Sequence, residues 1–229
     1  MTLGIMQPYF MPYISYFQLI KAVDKYIIFD DVNYINQGWI NRNNLLINGE
    51  RKMFSITLKK ASSSRLIKDI EIGDDFRKII KTLETNYKKA PYFNETMNLL
   101  IKSINYPDKR LGVFLTNCIK EVLSYLQVNT EILISSEIKK DNSFKGQDRV
   151  INMCQQLNAD TYINAIGGIN LYDKNLFKEK GIDLFFLKSH NIVYQQYKNE
   201  FIPSLSLIDT LMFNAAHDVN GMLDKYTLA

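Results

Sequence analysis

The sequence predicts an α/β protein: a Rossmann-like, mainly parallel sheet with a β-hairpin extension and a helical middle subdomain. Three observations predict it. The first thirty residues read as strand, loop, helix and strand, the βαβ unit of a parallel sheet of the nucleotide-binding kind. Strands and helices alternate again in the last third of the chain. Between these regions lie a hairpin signal at Asn48-Gly49 and helix-periodic stretches within 76–126.

The elements follow in order. Leu3 to Met6 is a short apolar run stopped at Gln7-Pro8, a buried strand ended by proline. Ser15 to Val23 is a helix with Tyr16, Leu19, Ile20 and Val23 on one side. Tyr26 to Phe29 is a second buried strand, closed by Asp30-Asp31. Leu45 to Ile47 and Lys52 to Leu58 flank Asn48-Gly49 and pair as antiparallel strands. Ala61 to Ser64 is a polar loop. Helices are expected over Phe76 to Tyr87, Thr96 to Asn105 and Leu111 to Leu126. Thr130 to Ile134 is a strand leading into a polar loop, and Gln147 to Leu157 is helical. Thr161 to Asn164 is a strand before Gly167-Gly168, and Leu171 to Lys180 is a short helix. Asp183 to Leu187 reads as the last strand and Ser206 to Asn214 as the closing helix, leaving His217 in a polar tail.

Composition limits the function classes. The 229 residues are 46% hydrophobic and 23% charged, enough to bury a core and unlike a disordered chain. The net charge is +4 with lysines scattered along the chain, which gives no nucleic-acid stripe. Cys118 and Cys154 sit in apolar helical segments, read as buried reduced thiols, and no Cys or His spacing marks zinc. No apolar run is long enough for a membrane span and no signal peptide is visible, so a cytoplasmic location is expected.

Five constellations could carry chemistry. Gln7 to Phe17 places two prolines and Tyr9, Tyr13 and Tyr16 between a strand and a helix, where open α/β folds bind ligands. The plain alternative is an aromatic core corner. Asp30-Asp31 at a strand's end could hold a metal, a ribose hydroxyl or an amine, or could only make a turn. Trp39, Asn41, Arg42 and Asn43 combine a plate, two amides and a planar cationic fork suited to phosphate or carboxylate. Asn164 with Gly167-Gly168 permits close backbone approach, without any Walker or GxGxxG pattern. His190 with Tyr194 and Gln196 follows a strand, a place for a general base or a substrate-holding group.

Taken in order along the chain, these stretches resemble the WbqC-like proteins over nearly the full length. The matching pieces are Gln7-Pro8-Tyr9-Phe10 through Tyr16-Phe17, Asp30-Asp31-Val32, Trp39 to Asn43, Tyr87 with Ala90-Pro91-Tyr92-Phe93, Thr161 to Asn164 with Gly167-Gly168, His190 with Tyr194 and Gln196, and Leu205-Ser206 to Asp209. Ser15 departs from the glycine usual before the Tyr-Phe pair, but a small residue survives. The resemblance implies a single domain over 1–229, with 76–126 as a helical subdomain. It also implies a bacterial accessory enzyme of O-antigen, lipopolysaccharide or other surface-polysaccharide biosynthesis. The opening segment is similar to the start of nucleotidylyltransferase-type folds that cradle ATP, but Pro12-Tyr13 and Tyr16-Phe17 replace their HxGH histidines, which weakens the case for ATP at this loop.

The expected activity is therefore a transferase that adds an acyl or aminoacyl group to the amine of a nucleotide-linked amino sugar. Asp31 or His190 would take the amine proton. Tyr9, Tyr13 and Trp39 would hold sugar and base, Arg42 a phosphate or carboxylate, and backbone donors near Gly167-Gly168 the oxyanion. Gln7, Tyr16, Asp30, Asn41, Asn43, Asn164, Tyr194 and Gln196 complete the expected binding set, with no metal ligand assigned. The cosubstrate, an acyl donor or ATP, is left open, as is a homodimer. The alternatives are an ATP-dependent amide ligase and a non-catalytic sugar-nucleotide binding protein.

Overall fold

The computed structural model describes residues 1–198 and 200–229. The chain begins with β1 (Thr2–Met6), α1 (Ile14–Lys21) and β2 (Lys25–Ile28). A hairpin of β3 (Arg42–Ile47) and β4 (Glu50–Ser55) follows, then β5 (Leu58–Lys59) and β6 (Glu71–Ile72). Next come α2 (Arg77–Tyr87), α3 (Phe93–Ile104), α4 (Leu111–Tyr125) and β7 (Glu131–Ile134). The last third holds α5 (Gly146–Gln156), β8 (Thr161–Ala165), α6 (Lys174–Glu179), β9 (Asp183–Ser189), α7 (Leu207–Phe213), α8 (Ala216–Met222) and β10 (Tyr226–Leu228).

Six strands form the central sheet in the order β10-β9-β8-β1-β2-β7. Every pairing is parallel except β9 with β10. Counted in the order the chain visits them, the strands run 3-2-1-4-5-6, the doubly wound order. The chain moves outward from β1 through β2 to β7, returns to β8 beside β1, and moves outward the other way. The order therefore reverses between β1 and β8. At the centre, Gly4 of β1 pairs with Tyr26 of β2, and a Cβ on Gly4 would lie 3.0 Å from the Tyr26 ring. Glycine there leaves room for a fully buried tyrosine.

The strands alternate their apolar side chains between two cores. Leu3, Ile5, Ile27, Tyr162 and Phe186 pack with Val150, Met153 and Cys154 of α5 and Phe177 of α6. Tyr26, Ile28, Ile163 and Leu187 face the other way, into the cluster containing Leu19 and Ile20 of α1 and Leu211 of α7. That same cluster takes Leu83 of α2, Leu100 of α3 and Phe114 of α4. Each such fully buried side chain stabilises the fold by about 1.5–3 kcal/mol relative to exposure. Cys118 and Cys154 are free and buried, and burial pushes the Cys154 thiol up to about 12, so neither is a thiolate at neutral pH.

Three local expectations need correction. The stretch expected as one helix from Leu171 to Lys180 is a 3-10 turn over 166–171 followed by α6, because the Asp173 carboxylate accepts from Asn175 N and caps a new start. Phe76 is not the first helical residue; it sits at φ 61° before α2, its N–H bonded to the Asp74 carboxylate. The chain does not end at α7. His217 lies in α8, and β10 then closes the sheet edge against β9.

Candidate functional site

Proline at position 8 cannot continue the ladder of β1. The loop that follows turns through Met11, a non-glycine residue at φ 44°. That conformation costs about 1–3 kcal/mol and persists only where the surroundings enforce it. Two buried side chains do so: Asn43 Nδ2 and Ser206 Oγ both donate to the Met11 carbonyl, at 2.8 and 2.6 Å. Backbone bonds Phe10 N to Ile40 O and Leu207 N to Pro12 O pin the loop on either side. Tyr16 Oη donates to Gln7 O at 3.0 Å, and the Tyr9 and Tyr16 rings lie 5.4 Å apart. The loop from Gln7 to Tyr13 is thus held by residues from both ends of the chain.

This clamp shapes a cavity of about 290 Å³ at the reversal of strand order. Met6 and Ala165, the last residues of β1 and β8, lie at its base. Tyr9, Tyr13, Tyr16 and Pro12 form an aromatic wall, and Trp39, 48% exposed, stands at the rim. Asn43, Asn44, Arg51, Ser15 and Ser204 supply the polar lining. Among the described residues no carboxylate or imidazole lines it. Burial raises the Tyr9 and Tyr13 hydroxyls above their ordinary range, so both stay protonated donors. Among the described residues neither hydroxyl has a protein partner.

The sequence-expected residues divide into four groups. Tyr9, Tyr13, Tyr16, Trp39 and Asn43 line the cavity together. Arg42 does not line it: its Nε donates to Gly38 O at 2.7 Å and its guanidinium lies 5.7 Å from the Trp39 ring centroid, so it supports the tryptophan. Asn41 bridges Tyr34 Oη and Ile56 O within the hairpin region. Gln7 contributes its carbonyl to Tyr16.

A second group surrounds the end of β2. Asp30 accepts from Ser136 N and Oγ at 2.9 and 2.6 Å. Asp31 accepts from Ser135 Oγ at 2.7 Å and pairs with Lys140 at 2.8 Å and Arg149 at 2.7 Å. Burial alone would raise the Asp31 carboxyl, but Lys140, Ser135 and Arg149 outweigh it and hold it below the usual range. A carboxylate so held is a clamp for the segment after β7 and a weak proton acceptor.

Of the third and fourth groups, Tyr194, Gln196, Asn164 and Gly168 turn inward, while Gly167 and His190 do not. Tyr194 Oη and Gln196 Nε2 each donate to the buried Asp209 carboxylate at 2.7 Å, as does Tyr87 Oη. Asn164 points at Tyr162 and Tyr172, its amide 2.5 and 3.2 Å from their hydroxyls. A Cβ on Gly168 would lie 2.9 Å from Asn164 Oδ1, so that glycine makes room for the amide, while Gly167 is exposed with open space around it. His190 is exposed just after β9, its backbone N–H bonded to Lys225 O. Asn44, Arg51, Ser15, Ser204 and Ala165 were not expected at the site. Arg51 had a weak local signal, being two residues past Gly49, but only the pairing Leu46 with Arg51 across the hairpin brings it over the cavity.

Among the described residues no group of His, Cys, Asp and Glu is placed to hold a metal ion, and no helix is long and apolar enough to cross a membrane.

Strand order, reversal point and cavity define a doubly wound α/β protein with an aromatic pocket at its topological switch point. More specifically, the chain belongs to the WbqC-like protein family, whose model matches residues 7–220. It is also similar to a Mycobacterium tuberculosis (strain ATCC 25618 / H37Rv) protein named "Uncharacterized protein Rv1507c", 28% identical over 228 residues and covering 96% of each chain. No solved structure matches the chain significantly.

Proposed function

We propose that this protein is a transferase of surface-polysaccharide (O-antigen) biosynthesis that places an acyl or aminoacyl group on the amine of a nucleotide-linked amino sugar. The observation that carries the reading is the carboxylate-free aromatic cavity at the carboxyl ends of β1 and β8. Doubly wound sheets bind ligands there. Its volume of about 290 Å³ suits one ring of the ligand, with the rest at the mouth. Tyr9, Tyr13 and Trp39 offer ring faces to a sugar or base, and two protonated tyrosine hydroxyls donate to its oxygens. Arg51 at the rim meets a phosphate. The family resemblance supports the pathway.

In this reading the cavity supplies the neutral nucleophile. An ammonium moved into apolar surroundings without a carboxylate partner loses its proton to water, because desolvation disfavours the charged form. The amine nitrogen then attacks the donor's carbonyl carbon. The C–N bond forms, the bond to the leaving thiolate or alkoxide breaks, and the nitrogen's surplus proton goes to that leaving group. Asp31, already held by two cations, and His190, outside the lining, are not the base in this scheme. That no carboxylate or imidazole lines the cavity among the described residues also favours a second reading, a non-catalytic sugar-nucleotide binding protein.

Mass spectrometry after mixing the protein with nucleotide-linked amino sugars and acyl donors tests both. Mass gain on the sugar, lost in Tyr9→Phe/Tyr13→Phe protein, supports transfer. Release of AMP or pyrophosphate with the gain points instead to an ATP-dependent ligase. Saturable sugar-nucleotide binding with no mass gain under any donor rules out the transferase in favour of the binding protein.

A further inference from the structure

The carboxyl edge of the sheet has a second concavity, on the side of the α5 core and away from the aromatic cavity, whose walls belong to the α1 core. Two openings of about 620 and 350 Å³ share Asp31, Leu66 and Arg149 and form one cleft. Among the described residues four cationic side chains line it, Lys68, Lys140, Lys145 and Arg149, against one carboxylate, Asp31. That local excess is nearly as large as the formal net charge of the whole chain, +4.

The cations are not all accounted for by the fold. Lys140, with a side chain 2% exposed, and Arg149 both sit on the same oxygen of Asp31. One carboxylate cannot neutralise both the buried Lys140 ammonium and the half-buried Arg149 guanidinium, and an uncompensated charge away from water is costly. Arg149 Nε is buried with no hydrogen-bond partner among the described residues, while its guanidinium lies 5.1 Å from the Phe29 ring centroid. Lys68 and Lys145 make no ion pair among the described residues. Beside these charges, Phe29, Tyr172 and Leu171, the last 71% exposed, give the cleft an apolar wall.

We infer that this cleft is a second ligand site, for a phosphorylated molecule that carries a ring or apolar chain. Its phosphate supplies the missing negative charge to Lys68, Lys145 and Arg149, and its ring or chain covers Phe29 and Leu171. Phosphate binding here stands by itself. The role of that ligand as the acyl donor rests on the transfer reading above, in which the aromatic cavity takes the acceptor and leaves the donor without a place.

Calorimetric titration of the full chain at low salt with inorganic pyrophosphate, adenosine diphosphate and coenzyme A tests the site. Saturable binding is expected, with Lys68→Ala and Lys145→Ala each weakening it roughly ten-fold and Arg51→Ala leaving it unchanged. Both lysines lie outside the buried pairs, so these variants keep the fold that Arg149→Ala could lose. A preference for adenosine diphosphate or coenzyme A over pyrophosphate supports the proposal and identifies the larger ligand; equal affinity for all three overturns the contact of a ring or chain with Phe29 and Leu171. No saturable binding in any arm, or a loss confined to Arg51→Ala, overturns the proposal. A nucleotide-linked amino sugar that still binds Lys145→Ala protein separates failure of this cleft from failure of the aromatic cavity.

Discussion

Asp31 and Asp209 are both buried carboxylates, yet their surroundings drive them in opposite directions. Burial raises Asp31, but Lys140, Ser135 and Arg149 together outweigh it and the net shift is down. Burial raises Asp209 as well, and there the three donors Tyr194, Tyr87 and Gln196 recover only part, leaving the net shift up. No cation pairs with Asp209 among the described residues. The linkage signs follow. Asp31 contributes stability that is present above the ordinary aspartate value, about 3.9, and is lost as pH falls through its lower folded value. Asp209 does the reverse: the unfolded chain releases its proton first, so its contribution declines as pH rises from about 3.9 to its raised folded value and is then constant. At pH 7, Asp31→Asn is expected to cost about 3 kcal/mol by stranding the buried Lys140 and the half-buried Arg149, and Asp209→Asn about 1–3 kcal/mol by mismatching its donors. Urea unfolding from pH 7 to pH 3 should show the wild-type advantage over Asp31→Asn shrinking and that over Asp209→Asn widening. Parallel trends for the two variants would refute this assignment. The same pair shows where residue-level reading of the sequence stops. Tyr194 and Gln196 read as ligand contacts because they are polar and lie near His190, but their partner is 13 to 15 positions later and only the packed fold turns them toward it. Likewise the partners of Asp31 come from positions 135, 140 and 149.

At the scale of elements, the β3–β4 hairpin decides which arginine reaches the cavity. Asn48 and Gly49 take φ 52° and 77°, the two left-handed positions of a tight hairpin turn, as the Asn-Gly dipeptide predicts. That turn fixes the register, which sets Arg42 opposite Ser55 and Arg51 opposite Leu46. From the sequence Arg42 is the expected phosphate or carboxylate contact, because it follows Trp39 closely and sits between Asn41 and Asn43. The turn was legible, but register alone does not choose between them, because Arg42, Asn44 and Leu46 share one face of the hairpin with their partners Ser55, Met53 and Arg51. The docking of the hairpin onto the loop after β1, through Asn43 and Met11, sets Arg51 at the cavity and leaves Arg42 at Gly38 and Trp39. Trp39 is the one tryptophan in the chain, so its fluorescence reports on this corner alone. Arg42→Ala is expected to shift the emission of the free protein, since it removes the guanidinium from the indole. Arg51→Ala should leave that emission unchanged and weaken binding of a nucleotide-linked amino sugar roughly ten-fold, the loss of one charge-assisted phosphate contact. The opposite pattern, with affinity lost in Arg42→Ala and kept in Arg51→Ala, would return Arg42 to the site.

At the scale of the whole molecule, the type and sequence order of the main elements were legible because each buried strand and amphipathic helix carries its own periodicity. Strand order was not, because pairing of β1 with β8 joins residues about 160 positions apart, Thr2 with Thr161 for example. The short β10, three residues with exposed side chains at Thr227 and Leu228, has no pattern of its own and exists by pairing with β9. Strand order is what gives the carboxyl edge two sides, one cavity against the α1 core and one cleft against the α5 core. Two separate sites make a thermodynamic prediction. A ligand that binds only the folded state at 100 times its Kd stabilises it by about 2.7 kcal/mol. For a chain of 229 residues that corresponds to a rise in Tm of roughly 5–10 °C. If an amino-sugar nucleotide occupies the aromatic cavity and a phosphorylated ligand the cationic cleft, the two rises should add when both are present at saturation. Tyr13→Ala should remove the first increment alone and Lys145→Ala should reduce the second alone. If saturation with one ligand instead erases the increment from the other, the two compete for one place, and the division of the carboxyl edge into an acceptor side and a donor side fails.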